Sequence, residues 1–290
     1  MNLWNSYYCA KTIEDALQAL SSAEGEACVI AGGTDLLLDM QQGRHAPVDR
    51  LVDITAVPDM CCLEVRGSML YVGAAVPITQ IVRSPLVQQH AMALVEAADL
   101  IGGPQVRNTA TLGGNVAHAL PAADGTIALL ALAAQAEIAD LNGRKLVPLQ
   151  DLFLGPGKSR LAPHTELLTG FYLPLQVASQ GSAFRRVMRP QGVALPILNL
   201  AAWLWRERDH IREIRISLGP AGPTPQRASQ AEAILEGQAL DGTVLFKALD
   251  AILEQARFRT SPHRSTSSYR RHLVGGLLKD VLDAAWERAG

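Results

Sequence analysis

The chain has 290 residues, 48% of them apolar and 19% charged, with a formal net charge of −2. That length buries a substantial core without disulfide or metal staples, and the near-neutral charge argues against nucleic acid or an anionic membrane surface as a partner. Cys9, Cys28, Cys61 and Cys62 lack C-x-x-C spacing, which argues against a zinc or iron–sulfur site and predicts reduced thiols in a cytoplasmic protein.

At the N-terminus, Met1 to Ser6 carry no basic leader, and no later window approaches the roughly 20 apolar residues of a membrane span. Neither export nor membrane insertion is expected. Thr12 caps a predicted helix in which Ile13, Ala16, Leu17 and Leu20 share one stripe and a carboxylate sits in the first turn. Residues 27–31 form a short apolar strand broken by Gly32 and Gly33, and residues 36–40 read as a helix. Strands follow at 50–54 and 69–75, with Pro77 opening a new helix. Residues 91–100 are Ala-rich and helical, and residues 126–136 predict an apolar helix. Residues 137–140 then read as a strand ending in an Asn142-Gly143 hairpin turn.

A turn-rich segment at 154–158 leads to a strand at 167–173 that Pro174 ends. Strands at 197–206 and 211–218, joined by Glu207, Arg208, Asp209 and His210, predict an antiparallel hairpin. Helices follow from Gln230, from Thr243 and from Ser267, the last amphipathic to the end. The change of character places a domain boundary near residue 177, with parts at about 1–56 and 57–177 before it and a second domain at 178–290.

Two stretches share a local character. Ala31, Gly32, Gly33, Thr34 and Asp35 follow an apolar strand, and Thr111, Leu112, Gly113, Gly114 and Asn115 repeat the Gly-Gly pair after a Thr-rich approach. Glycines at a helix N-terminus let main-chain N–H groups approach an anion closely, and two such turns fit one diphosphate. Thr34 can donate a hydroxyl hydrogen bond, whereas Asp35 would repel a phosphate and suits a helix cap or an acceptor from a ligand hydroxyl. Alternatively, both pairs serve as tight turns or helix-packing positions. No G-x-G-x-x-G follows the first strand and no Walker A loop occurs, so a nucleotide would need another scaffold.

As an ordered set, these pieces resemble the flavin-binding subunit of molybdenum hydroxylases, the group containing xanthine dehydrogenase, carbon monoxide dehydrogenase and hydroxybenzoyl-CoA reductase. The matching segments are Ala31 to Asp35, then Gln105 to Asn108 running into Thr111 to Asn115, then Pro121 to Asp124. Gly155 to Lys158, Glu166 to Leu168, and Tyr269, Arg270, Arg271, His272 and Leu273 complete the set. The resemblance implies an α+β protein: a two-part FAD-binding region of vanillyl-alcohol-oxidase (PCMH) type, followed by a small α+β domain with an antiparallel sheet.

It also implies site residues. Ala31, Gly32, Gly33, Thr34, Asp35 and Leu36 would line the FAD diphosphate and ribityl chain, and Ile101 and Gly102 would lie near the isoalloxazine. Thr111, Gly114 and Asn115 match the second loop, with His118 and Leu168 beside the cofactor. Asp124 matches a carboxylate that bonds cofactor hydroxyls, its alternative role being a helix N-cap before Thr126. Arg185 falls where relatives place a cation close to the flavin, which would stabilise the anionic reduced form. Where several relatives then carry an acidic residue, this chain has Gln191, Gly192 and Val193.

The implied role is electron transfer within a xanthine dehydrogenase of bacterial type. A large subunit would carry molybdopterin, a small one two [2Fe-2S] clusters, and this chain's FAD would reduce NAD or another acceptor. Four scattered cysteines cannot ligate two clusters, so partners must supply them. Absence of a cysteine-rich insertion disfavours the hydroxybenzoyl-CoA reductase branch. The alternatives are a non-catalytic flavin- or nucleotide-binding scaffold subunit, and the flavin subunit of a related aldehyde, N-heterocycle or carbon monoxide dehydrogenase.

Overall fold

The computed structural model describes residues 2–190, 194–262 and 264–290; Gln191, Gly192 and Val193 lie outside them. The chain opens with a parallel three-stranded sheet of β1 (Trp4–Cys9), β2 (Ala27–Ile30) and β3 (Val48–Asp53), in the order β1-β3-β2. Helix α1 (Ile13–Ser21) joins β1 to β2, and α2 (Leu36–Gln41) joins β2 to β3. Thr12 caps α1, its hydroxyl accepting from Asp15 N at 3.0 Å, and the stripe of Ile13, Ala16, Leu17 and Leu20 is buried.

After α3 (Pro58–Cys61) come β4 (Leu63–Arg66) and β5 (Met69–Gly73), then six helices. These are α4 (Ile78–Arg83), α5 (Pro85–His90), α6 (Met92–Asp99), α7 (Pro104–Arg107), α8 (Leu112–Ala117) and α9 (Asp124–Ala131). The chain returns through β6 (Gln135–Asp140), β7 (Gly143–Pro148), the short pair β8 (Phe153–Gly155) and β9 (Lys158–Ser159), and β10 (Leu167–Pro174). The resulting antiparallel sheet has the order β4-β5-β10-β6-β7, so the helices are inserted between two of its strands.

A second antiparallel sheet follows: β11 (Gln180–Met188), β12 (Pro196–Glu207), β13 (His210–Gly219) and β14 (Gln226–Arg227), in chain order. It is covered by α10 (Ser229–Leu235), α11 (Gly242–Gln255) and α12 (Ser267–Arg288). Successive strand residues point to opposite faces, and the two cores follow that rule. Phe184, Ala201 and Trp203 join the large core that includes Leu94 of α6 and Ile127 of α9. Ala183, Leu200, Ala202 and Leu204 join the core formed with α10, α11 and α12.

The charged turn at 207–210 joins an antiparallel hairpin, as the sequence predicts. The helix expected to reach residue 136 stops at Ala131, because Ala133 takes a left-handed φ of +53° and the chain is extended again from Gln135. Strand β1 carries no apolar alternation that the sequence could announce, since Asn5 and Ser6 interrupt it and five of its six residues are exposed. All four cysteines are free thiols. Among the described residues, no helix is long and apolar enough to cross a membrane.

Candidate cofactor-binding site

The first glycine turn links β2 to α2. Gly33 has φ +67°, a conformation that favours glycine, and its carbonyl accepts from Leu37 N at 3.0 Å to start the helix. Among the described residues, the main-chain N–H groups of Gly32, Gly33, Thr34 and Asp35 donate to no protein acceptor. Asp35 is the N-cap by position, yet its carboxylate makes no capping hydrogen bond.

The second turn is built differently. Thr111 caps α8, its hydroxyl accepting from Gly114 N at 3.1 Å, while Gly113 N donates to Ala74 O at 2.9 Å and Asn115 N to Thr111 O at 3.1 Å. Its amides are therefore used internally, and the expectation that both turns present N–H groups holds in the structure for the first alone. What α8 presents instead is surface: Gly114 and Ala117 are exposed while Gly113 is packed against Ala74. Asn115 Oδ1 is buried with no partner.

The turns meet through backbone. A Cβ on Gly32 would lie 2.0 Å from Thr109 O and 2.8 Å from Ala110 Cα, so only glycine permits this approach. Ile78 N donates to Ala110 O at 2.9 Å and holds the other side of that segment. Between and beyond the turns runs a cavity of about 610 Å³, within the range of small-molecule sites.

Ala31, Gly32, Gly33, Thr34, Asp35 and Leu36 line one stretch of it. Ile101 and Gly102, the latter at φ +55°, line another beside Val106. Thr111, Gly114, Asn115 and His118 come from α8 and its caps, and Leu168 from β10. Asp124, in the first turn of α9, lies on the wall where β11 and β12 approach. Fourteen of the fifteen residues singled out from the sequence thus surround one space.

Arg185 does not, and is corrected. Its Nη1 donates to Glu96 Oε1 at 2.7 Å, away from the cavity, whereas its neighbour Arg186 lines the cavity and pairs with Asp124. Strand alternation is the reason: Ser182, Phe184 and Arg186 share the face toward α6 and α9, and Arg185 starts from the opposite one. Arg186 and Asp124 side chains are each 5% exposed, and Asn199 Nδ2 donates to Asp124 Oδ1 at 2.6 Å. Burial pushes the Asp124 carboxyl up to about 6, against the pull of Arg186 and Asn199 toward the ionised form. Asp124 is the first helical residue and not the N-cap, which is Ala123.

Sequence reasoning also missed Cys28 and His45, whose Sγ and Nε2 lie 3.7 Å apart, and Leu195 and Arg264. None sits in a glycine motif, so the chain alone offered no local signal for them. Among the described lining residues there is no Phe, Tyr or Trp, so aliphatic groups such as Ile101, Val106 and Leu168 supply the apolar surface.

The family described as "FAD binding domain in molybdopterin dehydrogenase" matches residues 3–176, and "CO dehydrogenase flavoprotein C-terminal domain" matches residues 182–285. The chain belongs to the FAD-binding subunits of the molybdenum hydroxylases. Among relatives, the xanthine dehydrogenase FAD-binding subunit of Escherichia coli O157:H7 is 32% identical over 98% of this chain and 97% of its own. The nicotine 6-hydroxylase medium subunit of Paenarthrobacter nicotinovorans is 32% identical, with 97% of each chain covered. A solved carbon monoxide dehydrogenase from Hydrogenophaga pseudoflava matches with a TM-score of 0.93 and 30% identity over 98% of both chains.

The residues present in this FAD-binding subunit fit the cofactor. The free amides of Gly32 to Asp35 suit a diphosphate, and the exposed face of Gly114 leaves room beside it.

Proposed function

We propose that this chain is the electron-transferring medium subunit of a xanthine dehydrogenase, working with a molybdopterin-binding large subunit and a small subunit carrying [2Fe-2S] clusters. Bound FAD would supply the redox chemistry that connects those clusters to NAD or another acceptor. The observation that carries this reading is the contact of Gly32 with the Thr109 backbone, which sets four unpaired amides at one end of a dinucleotide-sized cavity.

In this assignment Ala31 to Leu36 hold the diphosphate and adjoining chain, Ile101, Gly102 and Leu168 provide apolar walls, and Thr111, Gly114, Asn115 and His118 close the other side. Asp124 faces the cofactor hydroxyls, and its charge is balanced by Arg186, which takes the cationic role first expected of Arg185. Residues 1–177 form the flavin-binding unit, in parts of about 1–56 and 57–177, and residues 178–290 the second unit, in a protein working in the cytoplasm.

The test is the protein purified with its two partner subunits, treated without oxygen with hypoxanthine or xanthine and then NAD⁺. Bleaching of the flavin absorbance by purine and its recovery on adding NAD⁺ are expected. Bound flavin that purines leave unbleached would overturn the xanthine assignment and favour an aldehyde, N-heterocycle or carbon monoxide substrate.

A further inference from the structure

Of the segment Gln105 to Asn108, only Val106 lines the flavin cavity. Its arginine is turned onto the chain instead. Arg107 Nη1 donates to Gly102 O at 2.9 Å and to Ile101 O at 3.3 Å, so one nitrogen holds two successive carbonyls. Arg107 Nη2 lies 3.6 Å from Asp99 Oδ1, on a side chain that is 61% exposed. The backbone that carries Arg107 is fixed on both sides: its own N donates to Gly103 O at 2.9 Å, and Ala110 N donates to Val106 O at 2.7 Å. Asn108 Oδ1 accepts from Thr79 Oγ1 at 2.8 Å and ties the same segment to α4.

In a trans peptide unit the carbonyl and the following N–H point in opposite directions. The units joining Ile101 to Gly102 and Gly102 to Gly103 are both trans, so turning their carbonyls toward Arg107 turns the N–H groups of Gly102 and Gly103 away from it. Among the described residues, neither N–H donates to a protein acceptor. Ile101, Gly102 and Val106 line the cavity, whereas Arg107 and Gly103 do not. With Arg107 behind the turn and the cavity in front of it, the Gly102 N–H is the one left facing the cavity. Residue 102 must be glycine for this, because its φ is +55° and a Cβ there would lie 2.6 Å from Val106 Cγ1.

We propose that the Gly102 N–H donates a hydrogen bond to an electronegative atom of the bound cofactor's ring, and that Arg107 is the positioning residue that aims it. This rests on the reading of the cavity as the FAD site. A main-chain donor held in place beside the flavin ring favours whichever redox form carries more negative charge there. Arg107 acts through the two peptide units alone, since it stays outside the cavity and its exposed partner Asp99 adds little to holding it. Because both bonds start from one nitrogen, a lysine ammonium with three donors can replace the guanidinium, whereas methionine cannot.

Amide hydrogen exchange resolved to single residues, on the full chain with and without added FAD, reads the donor directly. In the wild type FAD should slow exchange at Gly102 at least about tenfold, as one hydrogen bond would, and leave Gly103 within about threefold. Arg107→Met should bind FAD about tenfold more weakly and lose the Gly102 protection. The midpoint potential of its bound flavin should fall by about 30 mV, which for a two-electron couple is a tenfold weaker hold on the reduced form relative to the oxidised. A mere loss of charge would lower the potential but leave the protection in place. Arg107→Lys should restore protection, affinity and potential together, and the wild-type exchange result stands whether or not Arg107→Met folds. A wild type that binds FAD with unchanged exchange at Gly102, or an Arg107→Met variant that keeps both protection and potential, would overturn this assignment and leave the FAD reading standing. A wild type that binds no FAD would overturn that reading and the assignment with it.

Discussion

The carbonyl oxygen of Thr109 occupies the place that a side chain on Gly32 would need, since a Cβ there would sit 2.0 Å from it. Two stretches nearly eighty positions apart are thereby locked backbone to backbone, and the first glycine turn is aimed at the cavity by the segment that leads into the second. Even a methyl group cannot be absorbed, because the atoms it would meet are main chain.

Gly32→Ala should therefore separate the two turns. The expected cost is about 2 kcal/mol or more of stability together with loss of bound flavin. Urea unfolding and the flavin content of the purified chain check both. A variant with wild-type midpoint and full flavin would mean that the backbone contact does not position the site.

Asp124 gives a pH dependence whose sign is fixed by its raised pKa. At about 6 in the folded protein it lies above the ordinary 3.8, so the folded state holds this proton more tightly than the unfolded one. The contribution to stability is fully present below pH about 4 and is lost as pH rises through 6. The stability difference between wild type and Asp124→Asn should accordingly move against the wild type across that window, then level off. A flat difference from pH 4 to 7 would contradict the burial-driven shift.

Breaking the same pair from the other side should be harsher. Arg186→Met leaves the Asp124 carboxyl in a site of 5% exposure with Asn199 alone, and loss of one partner of a buried pair costs about 3–5 kcal/mol. Arg185→Met removes one of two arginines on Glu96 and should cost about 1 kcal/mol or less, with flavin retained. Equal losses for the two variants would return the cationic role to Arg185.

Glu96 ties α6 to both β11 and α12, accepting from Phe184 N at 2.8 Å, Arg185 at 2.7 Å and Arg288 at 2.7 Å. Burial favours its neutral form, but Arg288, Phe184 N and Arg185 outweigh it and hold the carboxyl below its ordinary 4.5. This stability is present above that value and lost as pH falls through the lowered one. Glu96→Gln should lower stability by about 2 kcal/mol at neutral pH and remove part of the acid-side loss. An unchanged acid limb in that variant would show that the cluster contributes nothing there.

Local chemistry made much of this legible. Thr12 caps α1, Pro77 opens α4, and the Ala31 to Asp35 turn is a strand-to-helix link, because each depends on residues close in sequence. The choice between Arg185 and Arg186 depends instead on which face of β11 meets α9, a tertiary fact that strand alternation expresses but a basic run conceals. Ala133 likewise ends the predicted long helix by a left-handed conformation that its composition does not announce. Lining residues such as Cys28, His45 and Arg264 are brought in by packing between distant segments.

The central claim is that the cavity between the two glycine turns holds FAD, and Gly114→Leu tests it most directly. Gly114 faces the cavity, where an added Cβ would touch only Thr111 Oγ1 at 3.2 Å, and its helical position favours leucine over glycine by about 1 kcal/mol. The decisive measurement is flavin released on denaturation per chain, with the melting temperature measured in parallel. One FAD per wild-type chain and almost none in a Gly114→Leu protein that melts no lower than the flavin-free wild type is the predicted result. Full flavin occupancy in a folded Gly114→Leu protein would place the cofactor elsewhere and contradict the assignment.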